Sequence, residues 1–131
     1  MATYDPNLVT VTVAGRFITG FAEGTMVECE KDEDKFSTKV SAKGEVSLVV
    51  KNNPLGTITL TLAQDSPSLA YIIQMAKATT PFPVWVSYKN GPINEKAGGT
   101  KAVIKKSPKK TFSDDIEERS VEIQVLDYTE S

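Results

Sequence analysis

Residues 57–62 read Thr-Ile-Thr-Leu-Thr-Leu, and this stretch decides the fold class. Apolar side chains alternate with threonines, so Ile58, Leu60 and Leu62 share one face while the threonines share the other. Strict alternation that is rich in β-branched residues favours a strand with one buried face and one wet face. The sequence therefore predicts a β-strand whose apolar side packs against a core.

The same alternation recurs along most of the chain. Glycine, proline and asparagine separate these stretches, as is typical of short strands joined by turns. The charged residues 31–35 are interpreted as the polar tip of a hairpin that pairs 25–30 with 36–40. Strands are predicted at residues 8–13, 16–18, 25–30, 36–40, 45–51, 57–62, 84–88, 100–106 and 120–128.

One helix interrupts the strands. Ser66 is a suitable N-cap and Pro67 suits the first turn, where its missing N–H costs nothing. Apolar residues then repeat at helical spacing until the prolines at 81 and 83, which predicts a helix over about residues 67–78. The expected fold class is mainly β, a β-sandwich or barrel with one flanking α-helix.

The amino-acid composition excludes several kinds of catalytic and metal-binding site. The chain has 131 residues, a net charge of −2, no histidine and one cysteine. A single domain over residues 1–131 is expected at this length. Histidine-based nucleophiles and His-ligated metals are excluded within one chain, as is an intramolecular disulfide. Cys29 lies between Glu28 and Glu30, so we expect it to be structural and unreactive. No apolar run has the length of a membrane span, and no secretory signal is predicted.

Acidic residues cluster between positions 28 and 34. A divalent-cation loop or a pair of catalytic carboxylates is one reading, but the spacing is not that of an EF-hand loop and a hairpin tip is a poor cleft. A solvated or interface-forming tip is the other reading and is preferred. We therefore expect no catalytic residue, no metal and, because no glycine-rich phosphate motif occurs, no cofactor. The acidic cluster consists of Glu28, Glu30, Asp32, Glu33 and Asp34.

Basic residues cluster between positions 101 and 110. Phe112 is the nearby aromatic residue and four acidic residues follow at 114–118, which disfavours nucleic-acid binding. A flexible, solvated loop is one interpretation. The other is an arm that contacts an acidic surface, such as the acidic cluster of a second copy, because head-to-tail contacts build rings and filaments. The basic cluster consists of Lys101, Lys105, Lys106, Lys109 and Lys110.

Residues 4–70 resemble the small tail tube protein of contractile-tailed phages, prophages and phage-tail-like bacteriocins. Residues 101–119 contain no feature that maps onto this family. The residues that carry the resemblance are turn and strand markers: Tyr4-Asp5-Pro6-Asn7, Val9, Val11, Gly15, Gly20-Phe21, Gly24-Thr25, the stretch 28–36, Gly44-Glu45-Val46, Asn52-Asn53, Gly56-Thr57 and Leu60-Thr61-Leu62-Ala63-Gln64-Asp65-Ser66.

The resemblance implies a non-enzymatic virion structural protein with a β-sandwich and one helix. Copies would form hexameric rings that stack into a hollow tube, through which DNA passes transiently in a phage. The implied partners are further copies of the chain and the tail sheath, baseplate and tape-measure proteins, with no membrane. The implied location is a virion tail or bacteriocin-like particle assembled in the bacterial host cytoplasm.

Individual residues receive roles within that expectation. The acidic cluster and the basic cluster are predicted to lie at contacts between subunits or rings. Related alternatives are a baseplate, tail-terminator or secretion-system tube component; from another class, a small carboxylate-dependent hydrolase remains an alternative. The predicted polar, lumen-facing residues are Glu45, Ser47, Thr57, Thr59 and Thr61.

Overall fold

The computed structural model describes residues 3–131 and is mainly β, which confirms the predicted fold class. Seven strands form an antiparallel sheet in the order β2–β1–β7–β8–β9–β6–β3, and β10 pairs with β8; β4 and β5 form a separate two-stranded sheet. The elements are β1 (Val9–Val13), β2 (Arg16–Phe17), β3 (Val27–Lys31), β4 (Phe36–Val40), β5 (Val46–Val50), β6 (Gly56–Ala63), α1 (Leu69–Ala76), β7 (Phe82–Asn90), β8 (Ile93–Ile104), β9 (Glu118–Val125) and β10 (Thr129–Glu130).

Strand β8 divides the large sheet into two halves. Its first part pairs with β7, where Trp85 lies opposite Gly98, and its last part pairs with β9, where Ala102 lies opposite Val125. Gly98 has φ +142°, a backbone conformation that favours glycine. The two halves face each other across one core, in the manner of a β-sandwich.

The core confirms the alternation seen in the sequence. Ile58, Leu60 and Leu62 on β6 are fully buried. Val121, Ile123 and Val125 on β9 are at most 2% exposed. β1 and β7 contribute Val11, Val13 and Val84 from the other half of the sandwich. The buried faces of the strands therefore enclose a continuous apolar cluster.

Helix α1 is shorter than predicted, and the proposed cap was wrong. The residue at the N-cap position is Ser68, whose side chain makes no capping hydrogen bond. Ser66 lies before the helix, where its hydroxyl donates to the Thr19 carbonyl (2.6 Å) and accepts from the Ser68 N–H (3.2 Å). Ser66 thus ties the start of the helix to the loop after β2. Within residues 3–131, no helix has both the length and the apolar character needed to cross a membrane.

The predicted pairing of residues 25–30 with 36–40 is also wrong. Strand β3 pairs with β6, so that Cys29 lies opposite Ile58, and β4 pairs with β5. The physical reason is burial: the apolar face of β3 reaches the core only beside β6. Residues 31–35 therefore connect two sheets and are not the tip of a hairpin.

Candidate assembly surfaces

The β4–β5 hairpin is amphipathic, and its apolar side faces solvent. Residues directly opposite each other in an antiparallel pair share a face. The register places Phe36 opposite Val50 and Val40 opposite Val46, with Leu48 between them opposite Thr38. We call Phe36, Val40, Val46, Leu48 and Val50 the hairpin face; they are 42%, 68%, 68%, 62% and 55% exposed.

Such a face is unusual for a solitary chain. A two-stranded hairpin has little stability of its own, and contiguous exposed apolar patches mark interaction sites. The sequence showed that Val46, Leu48 and Val50 share a side, but periodicity could not reveal that none of the described residues covers them. The hairpin face is the feature that the sequence-based assignment of interface residues missed.

The hairpin ends in an ordered turn. The Ser41 N–H donates to the Glu45 carbonyl (2.8 Å), and the Ser41 hydroxyl accepts from the Glu45 N–H (3.0 Å). Glu45 therefore lies at the tip, while Ser47 lies opposite Lys39 on the side away from the hairpin face. Ser47 lies on a different sheet from the three predicted lumen threonines, and Glu45 lies in the turn before β5.

The threonines of β6 form part of a polar surface of the large sheet. Thr57 lies between Glu30 on β3 and Gln124 on β9, and Thr59 lies between Glu28 and Glu122 in the same way. Glu28 and Glu30 were predicted to lie at a contact between subunits, yet the register brings them beside the predicted lumen residues. We call this surface the polar face; it comprises Glu28, Glu30, Thr57, Thr59, Thr61, Ser120, Glu122 and Gln124.

Asp32 fixes the point where the chain leaves the polar face for the hairpin. Its carboxylate accepts hydrogen bonds from the Thr57 hydroxyl (2.6 Å) and from the Gln124 side-chain amide (2.8 Å). These bonds, with the charge of Lys105 as a smaller cause, hold the pKa of Asp32 below its ordinary value. Asp32 is thus already engaged within its own chain, whereas Glu33 and Asp34 are exposed in the connection to β4.

The basic cluster lies beside the same surface. Lys105, Lys106 and Lys109 line a groove of about 460 Å³ together with Thr57 and Glu122. Lys101 lies within β8, where its backbone N–H donates to Asp127 (3.0 Å), and Lys110 is exposed. The charge of Lys105 also acts on Asp32 of the acidic cluster within one chain, and contact between the two clusters of different copies stays a prediction.

The segment that follows the basic cluster is held against the sheet. The guanidinium of Arg119 lies 5.1 Å from the centre of the Phe112 ring, and Arg119 is 3% exposed. The Glu117 N–H donates to the side-chain carbonyl of Gln64 (3.0 Å). The contact between Gln64 and Glu117 was not foreseen from the sequence, because the two residues are 53 positions apart.

Cys29 is half-buried and packs against the core. Burial raises its pKa to about 11, with the charge of Glu130 as the second cause. The direction agrees with the expectation of an unreactive thiol. The cause differs, because Glu28 and Glu30 project from the opposite face of β3 and Glu130 comes from β10.

The thiol of Cys29 should react slowly in the folded protein. A pKa near 11 instead of 9.0 lowers the thiolate fraction at neutral pH by about 100-fold. Reaction with an aromatic disulfide reagent should therefore be at least about 100-fold slower than in denaturant. The release of the coloured thiolate measures the rate, and similar rates in both states would contradict this environment for Cys29.

No group of three or more Cys, Asp or Glu side chains within residues 3–131 is arranged to hold a metal ion. Asp32 and Asp127 accept hydrogen bonds, Glu28, Glu30 and Glu122 are spread along strand surfaces, and Glu33 and Asp34 are exposed in a connection. The chain instead has three surfaces that could contact other molecules: the apolar hairpin face, the polar face and the groove lined by Lys105, Lys106 and Lys109.

No protein-family model matches the chain. No curated protein matches its sequence. Solved structures do match in fold. A chain from the anti-feeding prophage cap, described as the AFP tube-terminating cap, is 12% identical with a TM-score of 0.66, covering 100% of this chain and 92% of that chain.

Two further matches come from PVC, an extracellular contractile injection system in its extended state. A chain from the sheath/tube terminator is 13% identical with a TM-score of 0.67, covering 100% of this chain and 98% of that chain. A chain from the sheath–tube complex is 14% identical with a TM-score of 0.61, covering 98% and 91%. The chain therefore shares, over nearly its whole length, a fold that is also found in components of contractile injection particles.

Proposed function

We propose that this chain is a non-enzymatic structural subunit of the inner tube of a phage-tail-like particle, in which copies form stacked, hexameric rings. The observation that carries the proposal is the hairpin face, an ordered apolar surface with no use in a solitary subunit. The whole-chain likeness to components of contractile particles indicates the kind of assembly in which such a surface is covered. In this proposal residues 1–131 act as one domain.

The polar face supplies a suitable wall for a conduit. The carboxylates of Glu28, Glu30 and Glu122 would repel the phosphates of DNA, and contacts between copies would have to cover the lysines of the adjoining groove for the wall to avoid retaining DNA. Thr57, Thr59 and Thr61 stay lumen candidates, and Glu28 and Glu30 join them. If another copy covers the hairpin face, the side that carries Ser47 is left in water, so Ser47 and the adjacent Glu45 also stay lumen candidates.

Partners and location follow from the same proposal. Tail sheath, baseplate and tape-measure proteins would contact the tube, and DNA would pass through it if the particle is a phage. The subunit would be assembled in the cytoplasm of a bacterial host and would end in a virion tail or a bacteriocin-like particle. The exposed members of the acidic and basic clusters, Glu33, Asp34 and Lys110 among them, remain candidate contacts between subunits or rings.

A tube terminator is the second candidate function. Two of the three structures named above are a tube-terminating cap and a sheath/tube terminator, and each covers the whole of this chain. A terminator would form one ring that ends a tube, whereas a tube subunit would stack without limit. The two functions therefore predict different products from the same purified chain.

Electron microscopy of the purified full chain tests both functions. We expect rings that stack into hollow tubes of variable length as the concentration rises, because identical head-to-tail surfaces do not close along the axis. Light scattering after size-exclusion chromatography measures the mass of the ring. Single rings that never stack would favour the terminator, and a monomer at high concentration would contradict both.

A further inference from the structure

A second apolar surface lies at one end of the sandwich. Between β1 and β7 on one side and β3 on the other, the core is open as a groove of about 840 Å³. Val9, Val27, Val86 and Ile93 supply much of its lining, and Ile93 is 39% exposed. We call this recess the end groove.

The end groove runs beside an unpaired strand edge. Strand β3 lies at the end of the sheet order, so within the described residues its outer edge pairs with no strand. A free edge offers backbone N–H and C=O groups to an added strand, and an adjacent apolar pocket can receive alternate side chains of that strand. The end groove is therefore suited to an extended, amphipathic segment.

We infer that the occupant of the end groove is the β4–β5 hairpin of a second copy, an inference that rests on the proposed self-assembly. Each chain then carries one projecting apolar element and one apolar recess, and nothing within residues 3–131 covers either of them. The hairpin is a strand pair with free edges of its own, and its apolar side chains alternate along each strand as the edge of β3 requires.

The charges of the two surfaces are complementary. Residues 35–51 contain four lysines and one glutamate, so the hairpin is positive overall, although Lys39 lies on the side away from the hairpin face. The end groove is lined by the carboxylates of Glu95 and Glu130. Its one lysine, Lys96, places its ammonium 4.4 Å from the centre of the Trp85 ring. Carboxylates around the recess and the net positive charge of the hairpin favour contact between these two surfaces, and the like charges of two hairpins disfavour contact between hairpins.

The contact is heterologous, because it joins two different surfaces. One copy donates its hairpin and offers its own end groove to a third copy, so the contact propagates from subunit to subunit. Rings and stacks arise from this arrangement without any symmetric dimer. A face-to-face contact of two hairpin faces would instead stop at pairs.

Site-directed cross-linking in the full-length chain tests the inference. In a Cys29→Ser background, Leu48→Cys places a thiol on the hairpin face and Ile93→Cys places one at the mouth of the end groove. When the two single variants are mixed and treated with a short bismaleimide, we expect a dimer whose cross-linked peptides join positions 48 and 93. The double variant should give a ladder of dimers, trimers and longer products.

Matched controls sharpen the result. Ser47→Cys lies one residue away on the opposite side of the hairpin and should cross-link to position 93 at least about tenfold less. Products that join 48 to 48, or equal yields from positions 47 and 48, would overturn the inference. Tubes visible by microscopy without any 48–93 product would also overturn the inference but leave the proposed function standing. Absence of both tubes and cross-links would reject the inference and the proposed function together.

Charge reversal at Glu95 should lower the yield of the 48–93 product. An unchanged yield would remove the electrostatic part of the inference.

Discussion

Leu48→Asp should abolish the formation of rings and tubes while leaving the melting temperature of the free subunit unchanged. Leu48 is 62% exposed in the chain, so the substitution removes no core contact. In an assembly, the new carboxylate would be buried among apolar side chains, where an unpaired charge costs about 3–5 kcal/mol. Each contact should therefore weaken by more than about 100-fold, since 1.4 kcal/mol corresponds to a factor of ten.

Ser47→Asp is the matched control for this variant. It adds the same charge to the same strand but on the side that stays in water, so rings and tubes should persist. Sedimentation of assembled material and circular dichroism of the free subunit measure the two effects separately. Normal assembly of Leu48→Asp would show that the hairpin face is not an interface.

Gly98→Ala should have the largest effect on stability. At φ +142° an L-residue is strained, and a methyl group would overlap the carbonyl oxygen of Val84 on the neighbouring strand. Relief requires β7 and β8 to move apart where Trp85 lies opposite Gly98. We expect a loss of about 3 kcal/mol or more, a large part of the stability of a domain of this size, and a fall in melting temperature of about 10 °C.

Gly15→Ala provides the comparison. Gly15 also has a positive φ, of +83°, but nothing lies within 4 Å of the position its methyl group would occupy. The substitution should therefore cost only about 1–2 kcal/mol of backbone strain. Denaturant unfolding of both variants measures the difference. Equal losses at the two positions would show that the close approach to Val84 contributes nothing.

The strands that line the core were predictable because one chemical pattern specifies them. In residues 57–62 and 120–125 a buried face and a wet face alternate, and both strands lie where expected. The first part of β8 was missed because residues 94–99 contain one apolar side chain, Ala97, among polar residues and glycines and so carry no such pattern. Backbone pairing with β7 holds that segment in the sheet, and pairing between distant strands leaves little trace in the local sequence.

The candidate surfaces were predictable in part. The sequence identified the acidic and basic clusters, but it could not place Asp32 within reach of Thr57 and Gln124, since these contacts depend on the register of β3, β6 and β9. It assigned residues 25–30 and 36–40 to one hairpin because neighbours in sequence usually pair. The true partner of β4 is β5, and this pairing creates the exposed hairpin face.

The hairpin also bears on where the heat resistance of an assembled particle would come from. A two-stranded ribbon joined to the sandwich by two connections is among the parts of a free subunit that open at the lowest free energy. Covering it with a neighbour would add the binding free energy to that opening, so that unfolding of one subunit would depend on detaching it from others. Durability would then be a property of the contacts between copies, and the isolated chain could remain only moderately stable without weakening the whole.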